Sequence, residues 1–214
     1  GWDIADSDNN PIADTDIHGH GVAGVSSAST NNGLGIAGVG FRSKFMPIKI
    51  FKSGTNFFAN GYEAIALAAD LGCDVLNLSW GSPGSISQYG QDLINYAVEE
   101  RDVVVVAAAG NTNAELDFYP ASFDNVLSVG ASNSEDEKAD FATYSYKIDL
   151  MAPGKGIYVI DGPNSYSTKL GTSYSSPMVA GAAALIRSRS PNLTAKQVME
   201  RIRVNTDQIY NLPG

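Results

Sequence analysis

A chain of 214 residues, 43% hydrophobic and 17% charged, is long enough for one domain with a substantial core. Its net charge of −9 argues against nucleic acid and anionic membrane surfaces as partners, and no apolar run approaches the roughly 20 residues of a membrane helix. The single cysteine, Cys73, excludes an intrachain disulfide and reads, in its apolar stretch, as a buried core thiol.

The chain opens on Gly1-Trp2-Asp3-Ile4, without the basic stretch and apolar run of a signal peptide. It therefore reads as the interior of a longer protein. Asp3, Asp6, Asp8, Asp14 and Asp16, with Asn9, Asn10 and Pro11, predict a loop. A solvated acidic loop is the plain reading. Clustered carboxylate and amide oxygens also suit calcium, although the spacing is not that of an EF-hand. Next comes Ile17-His18-Gly19-His20-Gly21-Val22-Ala23-Gly24, which holds both histidines. At i, i+2 they share no helix face, and no third ligand is evident, which argues against zinc. A helix is expected from His18 to about Ser29.

Phe45 to Phe51 predicts a strand, and Gly61 to Leu71 an amphipathic helix stopped by Gly72. Asp74 to Gly81 predicts a strand that ends in a glycine loop. Ser87 to Arg101 predicts a second helix. The run Val103-Val104-Val105-Val106-Ala107-Ala108-Ala109 is apolar throughout, as expected of a parallel strand buried on both faces. Further strands are expected at 126–131 and 148–151, and a hairpin at 158–168. Helices should follow Ser173 and span Thr194 to Val204, with Thr194 as a cap. The alternation predicts an α/β fold, a doubly wound and mainly parallel sheet flanked by helices, in one domain over residues 1–214. In such sheets a site lies beyond the carboxyl ends of the strands. That points to Ser79-Trp80-Gly81 and Gly110-Asn111.

Ser173 stands where the loop Gly171-Thr172 meets the small-residue helix Tyr174-Ser175-Ser176-Pro177-Met178-Val179-Ala180-Gly181. A serine there can cap the helix. It can equally be a nucleophile whose own N–H, at the positive helix end, stabilises an oxyanion.

Taken together the segments resemble the subtilisin-like serine peptidases, the subtilase family. His18 to Gly24 is similar to the family's box His-Gly-Thr-x-Val-Ala-Gly, with His20 in the threonine position. Gly171 to Pro177 is similar to Gly-Thr-Ser-Met-Ala-x-Pro. Ser79-Trp80-Gly81, Ala107 to Asn111, Tyr119-Pro120-Ala121 and Met151-Ala152-Pro153-Gly154 follow in family order. The resemblance implies Ser173 as nucleophile, His18 as general base and Asn111 as oxyanion donor. It places Ser79, Trp80 and Gly81 beside substrate backbone and the primary specificity pocket. Ala108, Ala109 and Gly110 would form the opposite wall. Phe118, where the family usually has a small residue, would make the pocket shallow.

The triad aspartate with its Asp-Thr/Ser-Gly setting is absent from the sequence. Either the chain is a piece of a complete peptidase that lacks the first strand, or it is a degenerate homologue. Truncation is favoured, so a neighbouring strand should be left unpaired. The chain alone should then have little or no peptidase activity. Expected partners are a polypeptide substrate and, further, the missing N-terminal segment or a propeptide. Several subtilases bind calcium just before the histidine box, which makes Asp3, Asp6, Asp8 and Asp14 candidate ligands. The resemblance also implies a secreted bacterial enzyme. The alternatives are a non-catalytic peptide- or protein-binding module and an acidic calcium-binding structural domain. Asn192-Leu193-Thr194 is a glycosylation sequon only in a eukaryotic secretory setting.

Overall fold

The apolar run after Asp102 is the centre of the molecule. In the computed structural model, which describes residues 1–12, 17–55 and 58–208, it forms a strand from Val104 to Ala108 whose residues are all buried. On one side it pairs with Val75–Leu78, on the other with Leu127–Ser132, which in turn pairs with Leu150–Pro153. All three ladders are parallel. Numbered in chain order with the shorter strands below, the sheet runs β3 (Val75–Leu78), β5 (Val104–Ala108), β7 (Leu127–Ser132), β8 (Leu150–Pro153). β-Branched residues suit a strand wrapped on both faces, because their stiff side chains lose little freedom there.

Among the described residues the five α-helices are α1 (His18–Ser27), α2 (Gly61–Asp70), α3 (Gln88–Asn95), α4 (Thr172–Arg189) and α5 (Ala195–Val204). α4 lies against all four strands and packs on α1, while α2 packs on α3. Local chemistry sets the ends. The Ser87 hydroxyl accepts the Gly90 N–H and starts α3. Thr194 and Gln197 form a reciprocal capping box at α5, as Thr194 predicts. The helix expected over 87–101 continues past Asn95 as a π turn over Tyr96–Glu100.

Three further short strand pairs occur among the described residues. β1 (Trp2–Asp3) lies parallel to β2 (Ile48–Lys49), β4 (Ser82–Pro83) antiparallel to β6 (Phe118–Tyr119), and β9 (Lys155–Ile160) antiparallel to β10 (Tyr166–Leu170). The strand expected over 45–51 is cut to two residues, the length of its β1 partner, and Pro47 has no N–H to give a ladder. Met46 and Ile48 still pack against the core that holds Leu76 and Leu78. Among the described residues β3 has one ladder, to β5, so its other edge carries no backbone partner.

Two expectations change. Cys73 is half-buried rather than enclosed, and desolvation pushes its thiol up, so it stays protonated. The aspartate loop is not simply solvated. Asp3 sits in β1 at 1% exposure, with its Oδ2 2.9 Å from Lys49 Nζ. A buried carboxylate needs such a partner, because an unpaired charge out of water is costly. Lys49→Met should therefore lower unfolding stability by about 3–5 kcal/mol, read as a shifted denaturant midpoint; an unchanged midpoint would refute the pairing.

Candidate active site

Three backbone ends converge above the sheet. β3 delivers Ser79, β5 delivers Gly110 and Asn111, and the start of α4 delivers Thr172 and Ser173. Ser173 is the second residue of α4 and does not cap it; Gly171 holds the cap position, with no side-chain cap bond. Instead Ser173 Oγ donates to Ser79 O at 3.4 Å, while Ser79 Oγ donates to Ser173 O at 2.8 Å. The hydroxyl is thus spent on a carbonyl across the site rather than on the helix end.

Asn111 is held in one orientation. Its Oδ1 accepts the Thr172 N–H at 2.9 Å and the Thr172 hydroxyl at 3.0 Å. The Gly110 N–H donates to the same hydroxyl at 3.1 Å. Pinning the oxygen turns Nδ2, a donor, outward. Thr143 steadies the same loop: its N–H donates to Gly110 O, and its Oγ1 accepts the Thr112 N–H. Sequence reading missed Thr172 and Thr143; only the threonine directly before the serine hinted at the first.

Gly171 defines the space between the two donors. A Cβ built there would lie 3.4 Å from Asn111 Nδ2 and 3.8 Å from Ser173 N. Its φ of +140° lies where side-chain-bearing residues are strained. Gly171→Ala should cost about 1–3 kcal/mol in stability and place a methyl between the donors. Thermal melting checks the first effect, and an unshifted Tm would contradict it.

His18 opens α1, half-buried, with its ring 5.8 Å from that of Tyr174, the residue after Ser173. His20 is exposed. Ser173 Oγ, for its part, rests on the Ser79 carbonyl.

The Phe118 ring lies between Gly81 and Gly110. A Cβ on Gly81 would come within 2.6 Å of its ring, and one on Gly110 within 2.7 Å. The ring thus fills the slot between the two glycine walls. The β4–β6 pairing, with Pro83 opposite Phe118, fixes it there. Ala108 and Ala109 are buried behind the Gly110 wall. Trp80 turns away into an aromatic row, 4.9 Å from the Phe58 ring and 5.6 Å from Tyr62.

Of the calcium candidates, Asp3 and Asp6 close on a cation the chain supplies itself. Lys49 Nζ lies 2.9 Å from Asp3 Oδ2 and 3.3 Å from Asp6 Oδ2, and it donates to Ser53 Oγ. The Ser53 side chain and N–H, with Lys49, hold the Asp6 carboxyl below its ordinary range. Asp8 accepts the Asn10 N–H. Asp14 falls outside the described residues. Among those described, no three His, Cys, Asp or Glu side chains group as metal ligands. As arranged, Asp3 and Asp6 both hold the Lys49 ammonium.

The model of the subtilase family matches residues 2–211. The chain belongs to the subtilase family. A thermophilic serine proteinase of Bacillus sp. (strain AK1) is 38% identical over 94% of this chain and 50% of that protein. Thermitase of Thermoactinomyces vulgaris is 35% identical over 98% of this chain and 74% of its own length. The chain thus spans half to three quarters of these subtilases. Among solved structures, a Pseudoalteromonas arctica PAMC 21717 protease superposes with a TM-score of 0.85 at 29% identity, covering 92% of this chain and 66% of that one. A cold-adapted subtilisin-like serine proteinase gives 0.83 at 28%, covering 95% and 72%. The parallel sheet flanked by helices is the subtilisin-like fold expected.

Proposed function

We propose that this chain is the peptide-hydrolysing domain of a subtilisin-like serine endopeptidase, with Ser173 as nucleophile, His18 as general base and Asn111 as oxyanion donor. One observation carries the reading. The outward Asn111 amide and the Ser173 N–H flank the empty side-chain position of Gly171, at the start of the helix that bears Ser173. Two donors on one point, at a positive helix end, are what a tetrahedral oxyanion needs.

In the reaction, Ser173 Oγ leaves the Ser79 carbonyl and adds to the peptide carbonyl carbon as its proton passes to His18. Catalytic hydrogen bonds commonly tighten only when substrate is bound. The oxyanion accepts from Asn111 Nδ2 and Ser173 N–H. His18 then protonates the leaving amine, the C–N bond breaks, and an acyl-serine remains. Water repeats the sequence and releases the acid.

The third group is the open part of the triad. Asp3 and Asp6 hold Lys49, Asp8 caps its own turn, and no Asp-Thr/Ser-Gly occurs in the sequence. A mis-set histidine costs about 10,000-fold where a triad aspartate is made asparagine. The 214-residue chain by itself is therefore expected to hydrolyse peptides barely, if at all, and brisk turnover by it would remove that part of the reading. Polypeptide is the substrate class and a propeptide an expected partner. Secretion is part of the same proposal, tested by looking for the protein in culture medium. Calcium at the aspartate loop must use oxygens other than those on Lys49; an unchanged Tm under chelator takes it out of the reading.

A fluorophosphonate probe applied to the full-length protein tests the whole. Covalent labelling at Ser173, lost in Ser173→Ala, supports the peptidase. An unlabelled folded protein favours the non-catalytic binding module.

A further inference from the structure

Ser173 is the second residue of α4, and the residue four positions on is Pro177. In an α-helix the carbonyl of residue i accepts the N–H of residue i+4. Proline has none to give. The carbonyl of Ser173 therefore lacks its i+4 helical donor, and a part-buried carbonyl left without a donor is costly. Ser79 supplies the missing bond: its Oγ donates to Ser173 O at 2.8 Å.

The Ser79 hydroxyl has a single proton, so what it donates to depends on what donates to it. Asn77, on β3, donates from Nδ2 to Ser79 Oγ at 2.9 Å. Asn77 Oδ1 in turn accepts from Ser176 Oγ at 2.5 Å. Ser176 is fully buried and lies on α4 three residues after Ser173. The bonds run one way, from Ser176 through Asn77 and Ser79 to Ser173. They leave α4, cross to the end of β3, and return to α4. The amide accepts at one end and donates at the other, which an ionised carboxylate in the same place cannot do.

We infer that Asn77 is a positioning residue: through Ser79 it replaces the helical hydrogen bond that Pro177 withdraws, and so sets the main chain of Ser173. Both groups that Ser173 brings to the site, its Oγ and its N–H, move with that main chain. The slot between Gly81 and Gly110, filled by the Phe118 ring, contributes no bond to the relay. A fault in the relay should therefore appear in kcat and leave KM in place. The kinetic consequence rests on the peptidase reading above; the bonding relay does not.

Asn77→Asp gives Ser79 two acceptors and no donor. The Ser79 proton turns to the introduced carboxylate, and the Ser173 carbonyl loses its partner. In the full-length enzyme, Asn77→Asp and Ser79→Ala are each expected to lower kcat and the fluorophosphonate labelling rate by about 10- to 100-fold, the scale of a slight misplacement of reacting atoms. KM should stay within about twofold, because uniform binding is untouched. Because the two act in series, the double variant should be no slower than the worse single one. Losses that add fully, or a lowered Tm with labelling unchanged, would overturn the inference. Should Asn77→Asp not fold, Ser79→Ala reads the same link by deleting one oxygen, and wild-type labelling in it overturns the inference. A wild-type enzyme that fails to label instead removes the peptidase reading.

Discussion

Phe118→Gly is expected to turn an enzyme that takes small primary side chains into one that prefers large apolar ones. The ring fills the slot between Gly81 and Gly110, so close that a Cβ on either glycine would overlap it. With the ring present, a Phe or Leu substrate side chain has nowhere to go. With it removed, that side chain can occupy the vacated volume. Full burial of such a side chain is worth about 1.5–3 kcal/mol, or about 10- to 150-fold in kcat/KM for Phe over Ala substrates. The ring is partly exposed and held by the β4–β6 pair, so its loss should trim stability without unfolding the domain. The measurement is kcat/KM for matched peptides with Ala, Leu or Phe at the primary position, in wild type and variant. A wild-type enzyme that already prefers Phe would show that the ring moves aside and is no barrier.

Asn111→Leu should lower kcat by about 100- to 1,000-fold with KM little changed; that figure is the one measured for the equivalent donor in a subtilisin and is carried over, not obtained from this structure. The geometry supplies the reason it should apply. Thr172 takes both bonds to the asparagine oxygen, which leaves the amide nitrogen as the outward donor. Leucine keeps the volume and removes the donor, so ground-state binding survives while the oxyanion suffers; it also removes the acceptor of the two Thr172 bonds, which should lower the Tm. Thr172→Val should give a smaller loss in the same direction, because it removes the clamp and keeps the amide. Steady-state kinetics separate the two, and an Asn111→Leu variant with full kcat would exclude Asn111 from the oxyanion site.

The pairing logic of the core was legible from local pattern. The unbroken, β-branched-rich run from Val103 to Ala109 fits a doubly covered strand, seen over Val104–Ala108, and the parallel order of its neighbours fits the helices between them. Thr194 with Gln197 specifies its own helix start. The short strands were not legible. β1 and β2 have two residues each, and β4 and β6 pair across 35 residues, so no local periodicity marks them. The role of Asp3 was hidden for the same reason. Its partner Lys49 lies far along the chain, and composition alone made it another surface carboxylate.

Sequence by itself determined which chemistry is on hand: a serine at a helix start, a histidine in a small-residue helix, an asparagine after the central strand. Those are matters of residue type and local turn, and they need no distant partner. Tertiary structure alone decided what each group is free to do. Hydrogen bonds are exclusive, since one proton serves one acceptor, and the partners here lie far apart in the chain. Thr172 takes the Asn111 oxygen and so aims its nitrogen outward. Lys49 takes the loop carboxylates. Ser79 takes the carbonyl that Pro177 leaves without a donor, and with it the placement of Ser173.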